Sequence, residues 1–180
     1  MITVNSKHNQ DLVATLKAGG LAVLKTDTLY GLLASADNQA AVAKVYELKR
    51  RNPAKSLIVL IGDTAQLYDQ PSVDLRDKWP GPNSVILDSP SAPAWLKNQD
   101  GTIAYRLPAD DDLRELIVQA GPLVAPSANL ESQPPAENIA EAIRYFGDQV
   151  DVYVDEGEVP SDRPPSRLWR LSGGAWERLR

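Results

Sequence analysis

The sequence predicts a single α/β domain, built on a twisted mixed sheet with helices packed around it. Two observations indicate this class. Segments with helical periodicity alternate with short apolar runs, and the chain closes with two strand-like segments joined by Gly173-Gly174, a common turn dipeptide. The terminal hairpin and the uneven strand spacing favour a mixed sheet over a purely parallel one. At 180 residues the chain suits one domain, 1–180, with a sizeable core.

Six segments have the apolar spacing or the end signals of helices. The first has Leu12, Val13 and Leu16 on one face, with Asn9 as N-cap and two glycines as the stop. In the fifth, the acids at 110–112 occupy the first turn, where the helix dipole favours negative charge, so we interpret them as capping residues rather than metal ligands. The predicted helices are 9–20, 37–48, 63–70, 72–79, 110–120 and 137–146, with a single turn at 93–97.

Short apolar runs predict the strands. In the run 102–107, strict alternation places Thr102, Ala104 and Arg106 on one face. Trp79-Pro80-Gly81-Pro82 is too rigid for a helix or a central strand and predicts a fixed turn. The predicted strands are 21–25, 57–61, 84–87, 102–107, 122–125, 150–154 and the hairpin of 166–171 with 175–179.

The composition argues against several kinds of site. The chain has no cysteine and a single histidine, which excludes disulfides and thiol chemistry and argues against a histidine triad or a multi-histidine metal site. No apolar run approaches the roughly 20 residues that span a membrane, and the N-terminus lacks a signal sequence, so we expect a cytoplasmic protein. The net charge of −5 argues against nonspecific coating of nucleic acid and favours a small anionic ligand.

A basic cluster follows the second predicted helix and precedes the strand 57–61. Its members are Lys49, Arg50, Arg51 and Lys55. Cations near a helix C-terminus commonly act as solvated caps that complement the dipole, and this interpretation stays open. The alternative is an anion site. Thr26-Asp27-Thr28 form a turn after the strand 21–25, and ligands of open α/β sheets bind beyond the carboxyl ends of strands.

Two further features are candidates for ligand contacts. Arg106 lies in an otherwise apolar strand, so it requires either a structural salt bridge or an anionic ligand, because a buried unpaired guanidinium is very costly. Ser127 and Asn129 follow the strand 122–125. They are ordinary loop residues, and they are also short donors and acceptors of the kind that a nucleotide requires.

Five motifs in chain order resemble the YrdC/TsaC family, the threonylcarbamoyl-AMP synthases, in its short single-domain bacterial form. They are Thr26-Asp27-Thr28-Leu29-Tyr30-Gly31-Leu32, Lys49-Arg50-Arg51, Trp79-Pro80-Gly81-Pro82, Ala104-Tyr105-Arg106 and Ser127-Ala128-Asn129. Five ordered matches are far more specific than any one of them. The sequence departs from the family pattern at Lys25, Asn52 and Ala125, which leaves the choice of acid substrate open.

The resemblance implies a sheet curved round a concave basic cavity, and an ATP-dependent nucleotidyltransferase. L-threonine, bicarbonate or CO2, and ATP carrying Mg²⁺ would give threonylcarbamoyl-AMP and pyrophosphate. Downstream transfer proteins would use the product for N6-threonylcarbamoylation of adenosine 37 in tRNA. The resemblance implies no protein nucleophile and no dedicated metal ligands. The implied threonine contacts are Thr28, Arg106 and Ser166, and the implied ATP contacts are Lys49, Arg51, Lys55, Ser127 and Asn129.

Two other functions stay open at this point. The same concave surface is suggested within the family to hold double-stranded RNA or tRNA, and a paralogue with this fold would act on another acid. The polar, proline-containing loop 157–165 is expected to move over the site.

Overall fold

The computed structural model describes residues 1–160 and 162–180. Its strands in chain order are β1 (Ile2–Val4), β2 (Ala22–Lys25), β3 (Tyr30–Ser35), β4 (Ile58–Leu60), β5 (Asn83–Asp88), β6 (Thr102–Arg106), β7 (Leu123–Val124), β8 (Val152–Val154), β9 (Arg167–Ser172) and β10 (Ala175–Arg178). Its α-helices are α1 (Gln10–Lys17), α2 (Gln39–Leu48), α3 (Asp111–Ala120) and α4 (Ile139–Phe146). Short 3-10 turns lie at Thr64–Gln66, Ala94–Leu96 and Gly147–Gln149.

The strands form one sheet in the order β1-β8-β2-β3-β7-β4-β6-β5-β9-β10. β8 runs parallel to both of its neighbours, and β4 with β6 and β5 with β9 are also parallel pairs. The other neighbours are antiparallel, including the terminal hairpin of β9 and β10. The prediction of a mixed α/β sheet with a closing hairpin is therefore confirmed.

Each α-helix begins where an Asn or Asp side chain caps it. Asn9, Asn38, Asp110 and Asn138 each accept a hydrogen bond from a backbone N–H of the first turn. Such caps satisfy donors that have no partner within the helix. This local chemistry explains why the four strongly periodic helices were predicted within two residues of their observed starts.

Four predictions of local structure were wrong. The strands β1 and β3 were missed, since β1 is short and β3 is buried on both faces and lacks an alternating pattern. The segment 63–70 forms only a 3-10 turn, and 72–79 is not helical. In the latter segment, Asp74 accepts a hydrogen bond from the backbone N–H of Arg76, a local turn that competes with helix formation.

The sheet lies between two helical layers. On one face, α1 and α3 pack on side chains that include Leu24 and Leu60. On the other face, α2 and α4 pack on the residues next to these in the same strands, such as Val23 beside Leu24 and Val59 beside Leu60. Alternation of side chains along each strand thus supplies two separate cores. Among the described helices, none is both long and apolar enough to cross a membrane.

Strand register places the predicted arginine on a defined face. Leu60 of β4 is paired with Arg106 of β6, so Arg106 shares the face that carries α1 and α3. Along the same face, Ile58, Ala104 and Ile86 form one row across β4, β6 and β5. This part of the face is the floor of a cavity.

Candidate active site

A cavity of about 730 Å³ opens above the row formed by Ile58, Ala104 and Ile86. This volume lies within the usual range for small-molecule sites, roughly 300–1,000 Å³. Thr102 and Arg106 also line it, which confirms that alternate residues of β6 share one face. Five of the eight predicted site residues line the cavity: Thr28, Arg51, Arg106, Ser127 and Ser166. Lys49, Lys55 and Asn129 lie outside its wall.

The charged residues in the cavity wall are mostly arginines. They are Arg51, Arg106, Arg163 and Arg180, with Glu137 as the acid. Burial lowers the pKa of the Arg180 guanidinium, and repulsion by Arg51 lowers it further. Arg180 in turn contributes to the lowering of the Arg106 pKa, after the larger effect of burial. Arg180 is therefore close enough to both Arg51 and Arg106 for repulsion, which Asp27 opposes at Arg106, although the basic character of the cavity as a whole remains a prediction.

The turn between β2 and β3 places two threonine hydroxyl groups at the cavity. The Thr26 hydroxyl donates to the carbonyl oxygen of Leu29 at 2.7 Å and accepts from the backbone N–H of Thr28 at 3.2 Å. The hydroxyl oxygens of Thr26 and Thr28 lie 3.1 Å apart. The predicted turn is thus present, and its side chains stabilise its own backbone while they face the ligand space.

Arg106 joins this turn to the floor of the cavity. Its side chain is 4% exposed, and it donates through Nη1 to Thr28 Oγ1 at 3.0 Å and through Nη2 to Thr26 Oγ1 at 3.4 Å. Nη2 also lies 3.1 Å from Asp27 Oδ1 in an ion pair. Nε is buried and has no hydrogen-bond partner among the described residues.

The sequence left open whether Arg106 meets an internal acid or a ligand. The structure shows the internal acid, Asp27, whose other carboxylate oxygen accepts from the backbone N–H of Ala109 at 3.1 Å. Asp27 itself was not predicted as a partner. Its ion pair means that threonine is not needed to neutralise Arg106, and the guanidinium nitrogen without a partner, Nε, is itself buried.

One interpretation of the sequence made Lys49 an exposed cation at the end of a helix, and the structure instead buries it. The residue is 2% exposed, and its ammonium donates to the carbonyl oxygens of Ser127 and Asn129 at 2.5 and 2.6 Å and to Asn129 Oδ1 at 3.2 Å. An ammonium has three N–H donors, and all three have partners. Burial lowers its pKa to about 8, with Arg51 adding to the effect. The picture of Lys49 as a solvated cap is therefore wrong.

The loop after β7 is held together by the side chain of Asn129. Asn129 Oδ1 accepts from Ser127 Oγ at 2.6 Å, and Nδ2 donates to the carbonyl oxygens of Leu130 and Gln133. The backbone N–H of Ala128 donates to the carbonyl oxygen of Tyr30. The side chain of Asn129 thus makes hydrogen bonds within the loop, whereas Ser127 lines the cavity.

Arg51 and Lys55 of the basic cluster also lie apart from each other. Arg51 lines the cavity and donates to the carbonyl oxygens of Lys55 and Ser56 at 3.2 and 3.1 Å, so its fork is fixed against the loop. The Lys55 side chain is 59% exposed and forms an ion pair with Glu131 outside the cavity wall. An exposed pair of this kind contributes little to stability.

Ser166 lies where the C-terminal residue reaches the cavity. Its hydroxyl oxygen is 2.9 Å from Ser84 Oγ and accepts from Arg180 Nη2 at 3.3 Å. Arg180 Nε donates to the carbonyl oxygen of Ser166 at 3.1 Å. The structure therefore brings Ser166 and Arg180 together, and Ser84 supports Ser166 from behind rather than facing the ligand.

The segment after β8 lies across the cavity. The Tyr30 hydroxyl donates to the carbonyl oxygen of Gly157 at 2.7 Å and accepts from the backbone N–H of Glu156 at 3.2 Å. Val159 is buried and donates through its backbone N–H to the carbonyl oxygen of Glu137 at 2.7 Å. Of the loop 157–165, Ser161 lies outside the described residues, and the predicted movement of the loop stays a prediction.

Several residues in the cavity wall were not predicted as site residues. Arg163 and Arg180 belong to the arginine-rich last eighteen residues, so their charge was visible in the sequence but their position was not. Glu137 and Pro134-Pro135 carry no motif that marks them. No group of three or more His, Cys, Asp or Glu side chains suited to a metal ion occurs in the described part of the chain.

Comparison with known sequences identifies relatives over nearly the whole chain. A family model described as telomere recombination, Sua5/YciO/YrdC, matches residues 14–180. A Chromohalobacter salexigens protein named threonylcarbamoyl-AMP synthase is 33% identical over 173 residues, which cover 91% of this chain and 92% of the relative. A Coxiella burnetii protein of the same name is also 33% identical, over 86% of this chain and 88% of its own length.

Comparison with solved structures gives the same relationship. Sua5 from P. abyssi, in complex with L-threonine, superposes with a TM-score of 0.89 at 26% identity. That match covers 100% of this chain and 57% of the Sua5 chain, so this chain spans a little over half of that protein. E. coli YciO superposes with a TM-score of 0.84 over 99% of this chain and 93% of its own, and its 19% identity supports the fold alone.

Proposed function

The chain belongs to the Sua5/YciO/YrdC family, and we propose that it is an L-threonylcarbamoyladenylate synthase. In this reaction L-threonine and bicarbonate or CO2 form a carbamate, which displaces pyrophosphate from ATP to give threonylcarbamoyl-AMP. The names of the relatives and the L-threonine complex of Sua5 support this assignment. The alternative of an RNA-binding module is not favoured, because those relatives are named for an enzyme.

The observation that carries the proposal is the convergence of three guanidinium groups in one cavity. Arg51, Arg106 and Arg180 lie close enough for their positive charges to depress pKa values, and Asp27 is paired with only one of them. Like charges held together in a partly buried space favour an anionic ligand that neutralises them. A carbamate and a triphosphate are two such anions in the same reaction.

The proposed threonine site is the end of the cavity where Thr28 meets Arg106. The planar guanidinium of Arg106 suits a carboxylate, which it can bind through two parallel hydrogen bonds once the ligand replaces contacts that Thr26, Thr28 or Asp27 now make. The Thr28 hydroxyl accepts from Arg106 and donates to Thr26, whose own proton goes to Leu29, so a ligand would take over the bond that Thr28 now donates to Thr26. Ser166 also lines the cavity, beside Arg180, and completes the proposed set of threonine contacts.

The proposed phosphate site is formed by Arg51 and Ser127, with Arg163 and Arg180, which line the same cavity. Arg51 is held by two backbone carbonyl groups, so little side-chain entropy remains to be lost when it binds. Lys55 would reach a phosphate only by leaving Glu131. Since no acidic cluster is present among the described residues, Mg²⁺ is proposed to arrive on the ATP phosphates, as that ion usually binds.

The chemistry that these residues support is positioning and charge neutralisation. A carbamate oxygen attacks the α-phosphorus, the bond from that phosphorus to the bridging oxygen breaks, and pyrophosphate leaves. Two anions must approach each other, so cationic groups lower the barrier and no protein nucleophile is required. The mixed anhydride would be used by downstream threonylcarbamoyl-transfer proteins that modify tRNA, a role that implies a cytoplasmic enzyme.

The deciding experiment measures pyrophosphate release with each reactant omitted in turn. We expect release only when ATP, L-threonine and bicarbonate are all present, and background release with D-threonine. ATP turnover that does not depend on threonine would contradict the proposed substrate. Release supported by another amino acid and not by threonine would instead indicate a paralogue, consistent with the departures at Asn52 and Ala125.

A further inference from the structure

Lys49 is a buried cation that lies outside the cavity wall and bonds to a loop that forms part of that wall. All three N–H groups of its ammonium are directed at oxygens of Ser127 and Asn129. The backbone also joins the two segments, since the N–H of Glu131 donates to the carbonyl oxygen of Lys49 at 2.8 Å. The end of α2 and the loop 127–133 therefore form one hydrogen-bonded unit.

The loop depends on this ammonium because it lacks regular secondary structure. The carbonyl oxygens of Ser127 and Asn129 face a buried position, where an acceptor without a partner is costly. Asn129 Oδ1 accepts from both Lys49 and Ser127 Oγ, so the amide transmits the position of the ammonium to the hydroxyl group of Ser127. Ser127 is the member of this unit that lines the cavity.

We propose that Lys49 is a positioning residue, which orders the loop 127–133 and so holds Ser127 at the nucleotide without contacting the phosphates itself. This inference refines the proposed function and rests on it for the identity of the nucleotide. The inference also gives different roles to two residues of one motif, because Arg51 lines the cavity and Lys49 lies outside the cavity wall. The charge on Lys49 acts through the loop that it orders.

Protonation of Lys49 gives the proposal a specific signature. Burial lowers its pKa to about 8, Arg51 lowers it further, and Glu131 opposes the shift. Glu131 is also paired with Lys55. Opening of the loop exposes the amine and returns its pKa toward 10.5, so above about pH 8 the opened state takes up a proton that the closed state lacks. Deprotonation therefore favours the closed loop, and loop protection should rise above pH 8 without a loss of ATP affinity.

The test compares Lys49→Met with Lys44→Met, an exposed lysine on the same helix. In the ligand-free protein we expect faster amide hydrogen exchange in 127–133 for Lys49→Met and not for Lys44→Met. ATP affinity should fall about tenfold or more for Lys49→Met, as for the loss of charge-assisted hydrogen bonds, with threonine affinity unchanged. Weaker ATP binding with unchanged loop exchange would show a direct phosphate contact and overturn the proposal. Faster exchange with unchanged ATP affinity would show a purely structural role and also overturn it.

A chemical rescue keeps the test decisive if Lys49→Met does not fold. The chain has no cysteine, so in Lys49→Cys the single thiol can be alkylated with 2-bromoethylamine in the unfolded state and the protein refolded. The product carries an ammonium on a side chain of lysine length, and wild type taken through the same cycle is the control. We expect loop protection and ATP affinity to return, with the pH-dependent rise in loop protection shifted to lower pH because sulfur makes the ammonium more acidic. An unshifted profile would contradict the proposal.

The wild-type protein supplies a measurement that needs no variant. Loop protection should increase from one pH unit below to one unit above the Lys49 pKa of about 8, while ATP affinity does not fall. ATP affinity that falls while loop protection stays constant would favour direct contact. A wild type that binds no ATP would overturn the proposed function and the nucleotide half of this inference, whereas loop exchange would still decide whether Lys49 orders the loop.

Discussion

At the scale of single residues, Arg106 separates a structural role from a ligand-binding role. It is buried and paired with Asp27, it lines the cavity, and its buried Nε has no hydrogen-bond partner among the described residues. Arg106→Lys keeps the positive charge and loses the planar fork. We expect threonine affinity to fall about ten- to a hundredfold, since a charge-assisted hydrogen bond contributes roughly 1.5–3 kcal/mol, with ATP affinity little changed. Separate titrations of threonine and ATP measure this.

A conservative control is Arg144→Lys, whose guanidinium is 71% exposed and paired with Glu141 on the surface. That variant should keep both affinities. Equal losses of threonine and ATP affinity in Arg106→Lys, together with a lowered melting temperature, would mean that Arg106 is a structural partner of Asp27. The threonine assignment would then be wrong.

Arg51 and Lys55 lie four residues apart in one loop and are expected to behave differently. Arg51→Ala removes a guanidinium from the cavity wall, so ATP affinity should fall at least about tenfold while the melting temperature stays nearly constant. Lys55→Ala removes an exposed ion pair with Glu131 and should change ATP affinity less. Isothermal titration of ATP with each variant measures the difference. Equal effects would place Lys55 on the phosphates as well.

At the scale of elements, Tyr30 anchors the segment after β8 across the cavity. Tyr30→Phe removes one donated and one accepted hydrogen bond and leaves two backbone groups without that partner. We expect a loss of about 1–3 kcal/mol in the free energy of unfolding and faster amide exchange in the segment 156–159. Urea denaturation and exchange measured by mass spectrometry report these two changes.

The control for that variant is Tyr153→Phe. Its hydroxyl also donates to a backbone carbonyl, that of Gly147 at 2.7 Å, but Tyr153 lies outside the cavity wall. It should lower stability by a similar amount and leave exchange in 156–159 unchanged. If both variants change that exchange equally, the segment responds to global stability and Tyr30 does not anchor it.

At the scale of the whole molecule, the pH dependence of stability has two opposing parts. The folded-state pKa of Lys49 is lowered from 10.5 to about 8, so between these values the unfolded chain holds a proton that the folded chain lacks. The free energy of unfolding therefore rises with pH in this window, by up to about 1 kcal/mol per pH unit. Burial raises the pKa of the tyrosines Tyr30, Tyr46, Tyr68, Tyr105 and Tyr153.

Above their ordinary pKa of 10.0, the unfolded chain loses tyrosine protons that the folded chain keeps, so the free energy of unfolding then falls. We expect a rise from about pH 8 followed by a fall above pH 10, measured by urea denaturation at a series of pH values. Lys49→Met should lack the rise and keep the fall. A continuous decrease across the whole range in wild type would show that Lys49 has an ordinary pKa.

The sequence by itself determined the α/β class, the four capped helices, the closing hairpin and the alternation that puts Thr102, Ala104 and Arg106 on one face. These features depend on contacts within a few residues, so local patterns specify them. The five ordered motifs likewise pointed to the family to which the chain belongs. The strand β3 was missed because a strand buried on both faces has no alternating pattern.

Only the tertiary structure decided which members of the motifs face the ligand. Lys49 and Arg51 are two residues apart, yet Lys49 is buried against the loop 127–133 and Arg51 lines the cavity. The physical reason is that side-chain direction here depends on partners remote in the chain. Lys49 bonds to Asn129, 80 residues away, and Arg106 bonds to Thr28, 78 residues away. No local pattern encodes such contacts, because they exist only once the two layers of helices have packed on the sheet.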